Sequence, residues 1–84
     1  MAYRITFKAS VSRDLKKLSK DEADRILLGI AVDLPGMADR LPELKGKFAG
    51  LRKYRIGDYR VIFVIIGDAI LITRIGHRRE INKH

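Results

Sequence analysis

Two Gly-Asp steps, Gly57-Asp58 and Gly67-Asp68, constrain the fold more than any other feature of the chain. Each separates runs rich in β-branched and aromatic residues, in the stretch LRKYRIGDYRVIFVIIGDAILITRI. A two-residue loop with glycine first suits a type II′ turn, whose twist matches that of the strands it joins. Three strands are therefore predicted, over about 51–56, 59–66 and 69–75. Upstream, YRITF at 3–7 alternates Tyr3, Ile5 and Phe7 against Arg4 and Thr6, the pattern of a half-buried strand. Between these β segments Val11, Leu15 and Leu18 mark one helical face, with Ser10 or Ser12 available as a cap. Ser19-Lys20-Asp21-Glu22 has the S-x-x-E form of a capping box. It opens a second helix with Ala23, Ile26, Leu27, Ile30 and Leu34 on one stripe, stopped by Pro35-Gly36. Residues 35–50 have no clean period and read as a connecting loop. The order β-α-α-β-β-β predicts an α+β domain with a helical hairpin on one face of an antiparallel sheet.

The 84 residues suit a single domain, 1–84. A chain this short buries roughly 60% of the surface its unfolded state exposes, so its core is modest and a partner would add to its stability. It has no cysteine, which excludes a disulfide framework and a thiolate metal site and fits a reducing compartment. No run is long and apolar enough to span a membrane, and MAYRITFKAS lacks a signal-peptide core. The expectation is a cytoplasmic protein. The formal charge is +8, and it is unevenly spread. Residues 1–44 carry 8 basic and 7 acidic side chains, whereas residues 45–84 carry 10 basic and 3 acidic. A positive field of that kind favours a polyanion, either nucleic acid or an acidic protein.

Hairpin register concentrates this charge. With Gly57-Asp58 as the loop, Ile56 faces Tyr59, Arg55 faces Arg60 and Lys53 faces Ile62. Side chains alternate between the faces of a sheet. Leu51, Lys53, Arg55, Arg60, Ile62 and Val64 then share one face. Arg52, Tyr54, Ile56, Tyr59, Val61, Phe63 and Ile65 share the other, which is assigned to the helices along with Ile70 and Ile72, with Arg74 at its margin. Arg55 and Arg60 are opposed with Cβ atoms about 5 Å apart, an arrangement that destabilises a ladder unless an anion sits there or each arginine finds its own carboxylate. With the fourth strand antiparallel beside the third, Ile75 lies opposite Arg60 and shares the face of Ile62, Val64, Ile66 and Leu71. Residues 77–79 would then emerge near the cluster. His77 is a candidate acid or base, because histidine is the side chain that ordinarily titrates near neutrality. The alternative is a partly buried histidine at a strand end.

Arginine cannot serve as a general base, but it binds phosphate bidentately and stabilises developing charge. RNA brings its own nucleophile, the 2′-hydroxyl. A basic cleft that aligns the hydroxyl with the phosphorus needs little beyond a proton acceptor. His77 could take that part, as could Lys53 if cationic neighbours lower its pKa. No paired carboxylates, Walker loop, nucleophile–histidine–acid set or metal-ligand cluster is visible, so neither metal nor cofactor is expected.

The order of elements, LKGKFAGLRKYRIGDYRVIF and the ending RIGHRRE resemble the RelE/ParE superfamily, the toxins of toxin–antitoxin modules. The resemblance implies a RelE-like fold and, for the RelE branch, a metal-independent, ribosome-dependent mRNA endonuclease that uses the RNA 2′-hydroxyl and inhibits translation. Matched by position, it implies active residues at Lys53, Arg55, Arg60 and Arg78. It further implies as partners an acidic RelB-like antitoxin, mRNA in the ribosomal A site, and operator DNA bound by the toxin–antitoxin complex. Lys45, Lys47, Arg52, Arg79 and Lys83 are the additional candidates for nucleic-acid contact. Related sequences commonly carry an aromatic hydroxyl near the C-terminus, where this chain has Ile81-Asn82. The alternatives are a ParE-like inhibitor of DNA gyrase without nuclease activity, and a catalytically weakened toxin that mainly binds its antitoxin.

Overall fold

The computed structural model describes residues 3–46 and 50–81. Strand β1 (Arg4–Phe7) is followed by α1 (Ala9–Lys16) and α2 (Lys20–Val32). Two 3₁₀ turns, Leu34–Gly36 and Ala38–Arg40, lead towards β2 (Arg52–Ile56), β3 (Tyr59–Ile66), β4 (Ala69–His77) and a short α3 (Arg78–Ile81). The sheet order is β1-β4-β3-β2. The α+β class stands, but the sheet is mixed. β2, β3 and β4 form the antiparallel meander, while β1 pairs parallel with β4, with Arg4 opposite Ala69 and Phe7 opposite Ile72. The helical hairpin carries the chain from β1 across to β2 at the opposite edge, and β2 and β3 complete the long connection that the parallel neighbour β4 needs.

Local chemistry sets the element ends. Ser19 Oγ accepts from Glu22 N–H at 3.2 Å and Glu22 Oε1 accepts from Ser19 N–H at 3.4 Å, the capping box expected for α2. Gly57 and Gly67 have φ of +57° and +59°, and Asp58 and Asp68 have negative φ, as the first and second positions of a type II′ turn require. For α1 the expected serine cap is absent. The helix starts after Lys8, and Ser10 Oγ donates instead to Thr73 O at 2.9 Å, tying α1 to β4.

The core lies between the helical hairpin and one face of the sheet. Val11, Ile26, Ile30 and Leu34 from the helical side meet Val61, Phe63, Ile70, Ile72 and Ile75, all at most 1% exposed. α2 comes so close to β2 that a Cβ on Gly29 would stand 2.9 Å from Ile56 Cδ1 and 3.2 Å from the Tyr54 hydroxyl.

Ile75 corrects one expectation. Phe63 is opposite Ile72, but Ile62 is opposite Arg74, so Thr73 is an extra residue in β4, a β-bulge. The bulge turns Ile75 into the core opposite Val61 and puts Gly76 opposite Arg60. It also moves Arg74 from the expected helical margin to the register of Ile62. Thr73 Oγ1 donates to Ile62 O at 3.0 Å across the bulge. Beyond the end of β1 the freed β4 edge is closed by α1: buried Asp14 accepts from Ile75 N–H at 2.9 Å and from Arg74 Nε at 3.0 Å.

Candidate active site on the open sheet face

The β2–β3 register is the expected one: Lys53 lies opposite Ile62, Arg55 opposite Arg60 and Ile56 opposite Tyr59. Tyr54 and Ile56 approach Gly29 of α2, so the alternate residues Lys53 and Arg55 point away from the helices. Arg60 joins them from β3. The three cations differ in environment. Arg55 is exposed, Lys53 is half-buried, and Arg60 is only 6% exposed. Partial burial pushes the Lys53 ammonium below the usual lysine range, and the charges of Arg60 and then Arg55 push it further the same way. A phosphate here would relieve that cost, because it supplies the opposite charge next to all three groups. Gly76, across from Arg60 on the other side, places no side chain against it.

The other candidates divide by position. Arg78 is exposed and starts α3, and its backbone N–H donates to Asp58 O at 2.9 Å. This hydrogen bond seats it beside the β2–β3 turn, the end of the hairpin that Arg55 and Arg60 flank. His77 is directly opposite Tyr59, and the two rings meet edge to face with centroids 5.6 Å apart. Tyr59 in turn donates from its hydroxyl to Glu22 Oε2 of α2 at 2.7 Å. The His77 ring therefore belongs to the helical side of the sheet, and the fold does not bring it among Lys53, Arg55 and Arg60. Its Nδ1 accepts from Arg79 N–H at 3.2 Å.

Arg52 is engaged in holding the loop before β2. Its Nη1 donates to Leu41 O at 2.5 Å and Asp39 O at 3.3 Å, and its Nη2 lies 3.6 Å from Glu43 Oε1. It faces away from the cluster because it alternates with Lys53. Lys45 and Arg79 are exposed. Lys47, Lys83, His84 and Asn82 lie outside the described residues. Among the described residues no group of acidic, histidine or cysteine side chains could hold a metal, and no helix is long and apolar enough to cross a membrane.

Sequence reading missed Asp14, Tyr59 and Glu22 as supports of this end of the sheet. One signal was available. Ile72 and Ile75 are three apart, so an unbroken strand puts them on opposite faces, and a bulge between them lets both join the helical core.

A family model described as the ParE toxin of type II toxin–antitoxin systems matches residues 5–82. The chain belongs to this family. It is a toxin of a type II toxin–antitoxin system, within the RelE/ParE superfamily that its hairpin and RIGHRRE ending resemble. Solved structures agree. The toxin is similar to a chain of a RelBE toxin–antitoxin complex from Mycobacterium tuberculosis, with 27% identity over 93% of this chain and 100% of that one, and a TM-score of 0.86. It is also similar to a chain of the archaeal RelE–RelB complex from Pyrococcus horikoshii, with 28% identity, 93% and 97% coverage, and a TM-score of 0.65. A mutant of the Escherichia coli toxin RelE in its free state shares the fold at 17% identity, with 95% and 87% coverage and a TM-score of 0.75. A search of curated proteins gave no match.

Proposed function

We propose that the open face is a metal-independent ribonuclease site, and that the toxin inhibits translation by cutting mRNA in the ribosomal A site. The observation that carries this reading is the gathering of Lys53, Arg55 and Arg60 on one face, with the Lys53 ammonium pushed down by burial and by its two arginine neighbours. Sequence likeness at 27–28% to chains from two RelE–RelB-type complexes supports the RelE branch.

In the proposed step Arg60 and Arg78 clamp the scissile phosphate, and Arg55 faces the adjoining backbone. Lys53 in its neutral form takes the proton from the 2′-hydroxyl. The O2′–P bond forms and the P–O5′ bond breaks, leaving a 2′,3′-cyclic phosphate and a 5′-hydroxyl protonated by solvent water, whose hydroxide takes back the proton from Lys53. The arginines stabilise the extra negative charge on the phosphoryl oxygens, and removing one such donor typically costs 10²–10³-fold in rate. The same charges draw the RNA backbone into the cleft in a salt-dependent way. Arg79 and Lys45 extend the positive surface. We further propose an acidic RelB-type antitoxin as the partner that neutralises this face in the resting cell, and operator DNA as a ligand of the resulting complex.

The test is induced expression followed by primer extension on a translated message. Translation-dependent cuts at codon positions are expected. Arg60→Ala should reduce cutting at least a hundredfold while far-ultraviolet circular dichroism stays unchanged. Undiminished cutting by that variant would remove Arg60 from the mechanism.

A second reading has its own support: the family model that matches is that of ParE toxins, and Asn82 stands where relatives commonly carry an aromatic hydroxyl. On that reading the toxin inhibits DNA gyrase and cuts no RNA. A supercoiling assay with micromolar purified toxin distinguishes the two, since a ribonuclease leaves supercoiling untouched.

A further inference from the structure

We propose that His77 is a positioning residue: its Nδ1 caps the first turn of α3 and so holds Arg78 at the mouth of the site, and it exchanges no proton with RNA. The inference rests on the ribonuclease reading for the role of Arg78, but the capping itself stands on geometry.

A helix leaves its first N–H groups without partners, and a side chain just before the helix can accept from them. His77 is the residue just before α3, and its Nδ1 accepts from Arg79 N–H at 3.2 Å. Arg78 N–H is taken by Asp58 O at 2.9 Å. The backbone at Arg78 is thus tied at two adjacent points, one to the hairpin turn and one to the imidazole. The imidazole is itself braced. Tyr59 packs against it edge to face, and the Tyr59 hydroxyl is fastened to Glu22, which is fastened in turn by the capping box of α2. A continuous set of contacts therefore runs from the α2 N-terminus through Glu22, Tyr59 and His77 to the start of α3. This placement is poor for proton transfer to RNA on the open face, because the ring is on the helical side of the sheet. It is well suited to holding a backbone from behind while the Arg78 side chain stays exposed.

The arrangement specifies a tautomer. A ring nitrogen that accepts carries no proton, so the imidazole proton is on Nε2.

Amide variants decide the matter, because asparagine carries its oxygen where histidine carries Nδ1, whereas glutamine carries its oxygen where histidine carries Nε2. Cleavage of a translated message is measured with purified His77→Asn, His77→Gln and His77→Ala. His77→Asn should keep cleavage within about threefold of wild type. His77→Gln and His77→Ala should lose roughly five- to thirtyfold, the upper part of the range for loss of a helix cap. Equal loss in all three variants would mean proton transfer by the imidazole and would overturn the proposal, as would full activity in His77→Ala. If His77→Ala unfolds, the Asn–Gln pair still decides. Long-range ¹⁵N–¹H correlation spectra of the wild-type imidazole test the cap without any cleavage assay. A proton on Nε2 is expected, and a proton on Nδ1 at neutral pH overturns the cap. If wild type cuts no RNA, the functional reading fails while the spectra still report on the cap.

Discussion

The two faces of β2 and β3 are built from alternate residues of the same strands, yet they answer to different demands. On one face Tyr54, Val61 and Phe63 are buried against α1 and α2 with the helical core. On the other, Lys53, Arg55 and Arg60 are crowded together with Ile62. The first face is what stability alone would select. The second carries a like-charge pair directly across a ladder and a lysine whose charged form the fold disfavours. The period of two along a strand allows both in a chain of 84 residues, since each face is set independently of its neighbour. The contrast also separates the expected effects of substitution: the helical face should govern whether the chain folds, and the open face what it does once folded.

The largest effect on stability belongs to the helical face. Phe63→Ala should cost about 3–5 kcal/mol in urea unfolding, as the lost transfer energy adds to that of the cavity left behind. A cost under 1 kcal/mol would mean that the two faces do not differ as described. Next comes the β4 edge. Asp14→Ala leaves the buried Ile75 N–H without its acceptor and should cost about 1–3 kcal/mol. Asp14→Asn, which keeps an acceptor oxygen, should cost clearly less, and equal losses would point to packing instead of the hydrogen bond.

The open face should show the opposite sign. Lys53→Met keeps the apolar stem and removes the charge, so it should stabilise the fold by a few tenths to about 1 kcal/mol while it weakens RNA cleavage. In wild type the same effect appears with pH. Because Lys53 has a folded pKa below its unfolded one, the unfolded chain binds more protons in the window between the two. Stability therefore rises as pH climbs through that window, and Lys53→Met should flatten the rise. If Lys53→Met destabilised the fold, its ammonium would be stabilising and the face would not be strained.

The smallest effect is expected at Glu22. Hydrogen bonds from Tyr59 and then Ser19 hold its carboxyl below the usual glutamate range. Its contribution is fully present above the ordinary glutamate pKa and is lost as pH falls through the lowered folded value. Glu22→Gln should therefore lower the neutral value slightly and leave the acid value little changed, so that stability falls less steeply in thermal melts from pH 7 down to pH 3.

Much of the arrangement was legible in the sequence because it depends on neighbours in the chain. The glycine turns, the α2 capping box and the alternation of Lys53, Tyr54 and Arg55 are all local. With the turns located, register follows by counting, and the opposition of Arg55 and Arg60 follows from register. His77 was misplaced for a related reason. Counting through β4 assumed an unbroken strand, and the extra residue at Thr73 shifts everything after it by one, moving Ile75 into the core and bringing Gly76 beside Arg60. Arg52 looked like one more cation in a basic run. Only the folded chain brings Leu41 O and Asp39 O within reach of its guanidinium.

By itself, then, the sequence determined the element order, the helix-facing and open sets of β2 and β3, and a basic cluster fit for phosphate, because periodicity and turn chemistry act over a few residues. The tertiary structure alone decided that β1 joins parallel to β4, that Asp14 closes the β4 edge, and that His77 backs onto Tyr59 behind Arg78. These outcomes depend on pairs such as Asp14 and Ile75 that are far apart in the chain, and no local pattern encodes which distant backbone group a buried carboxylate will meet.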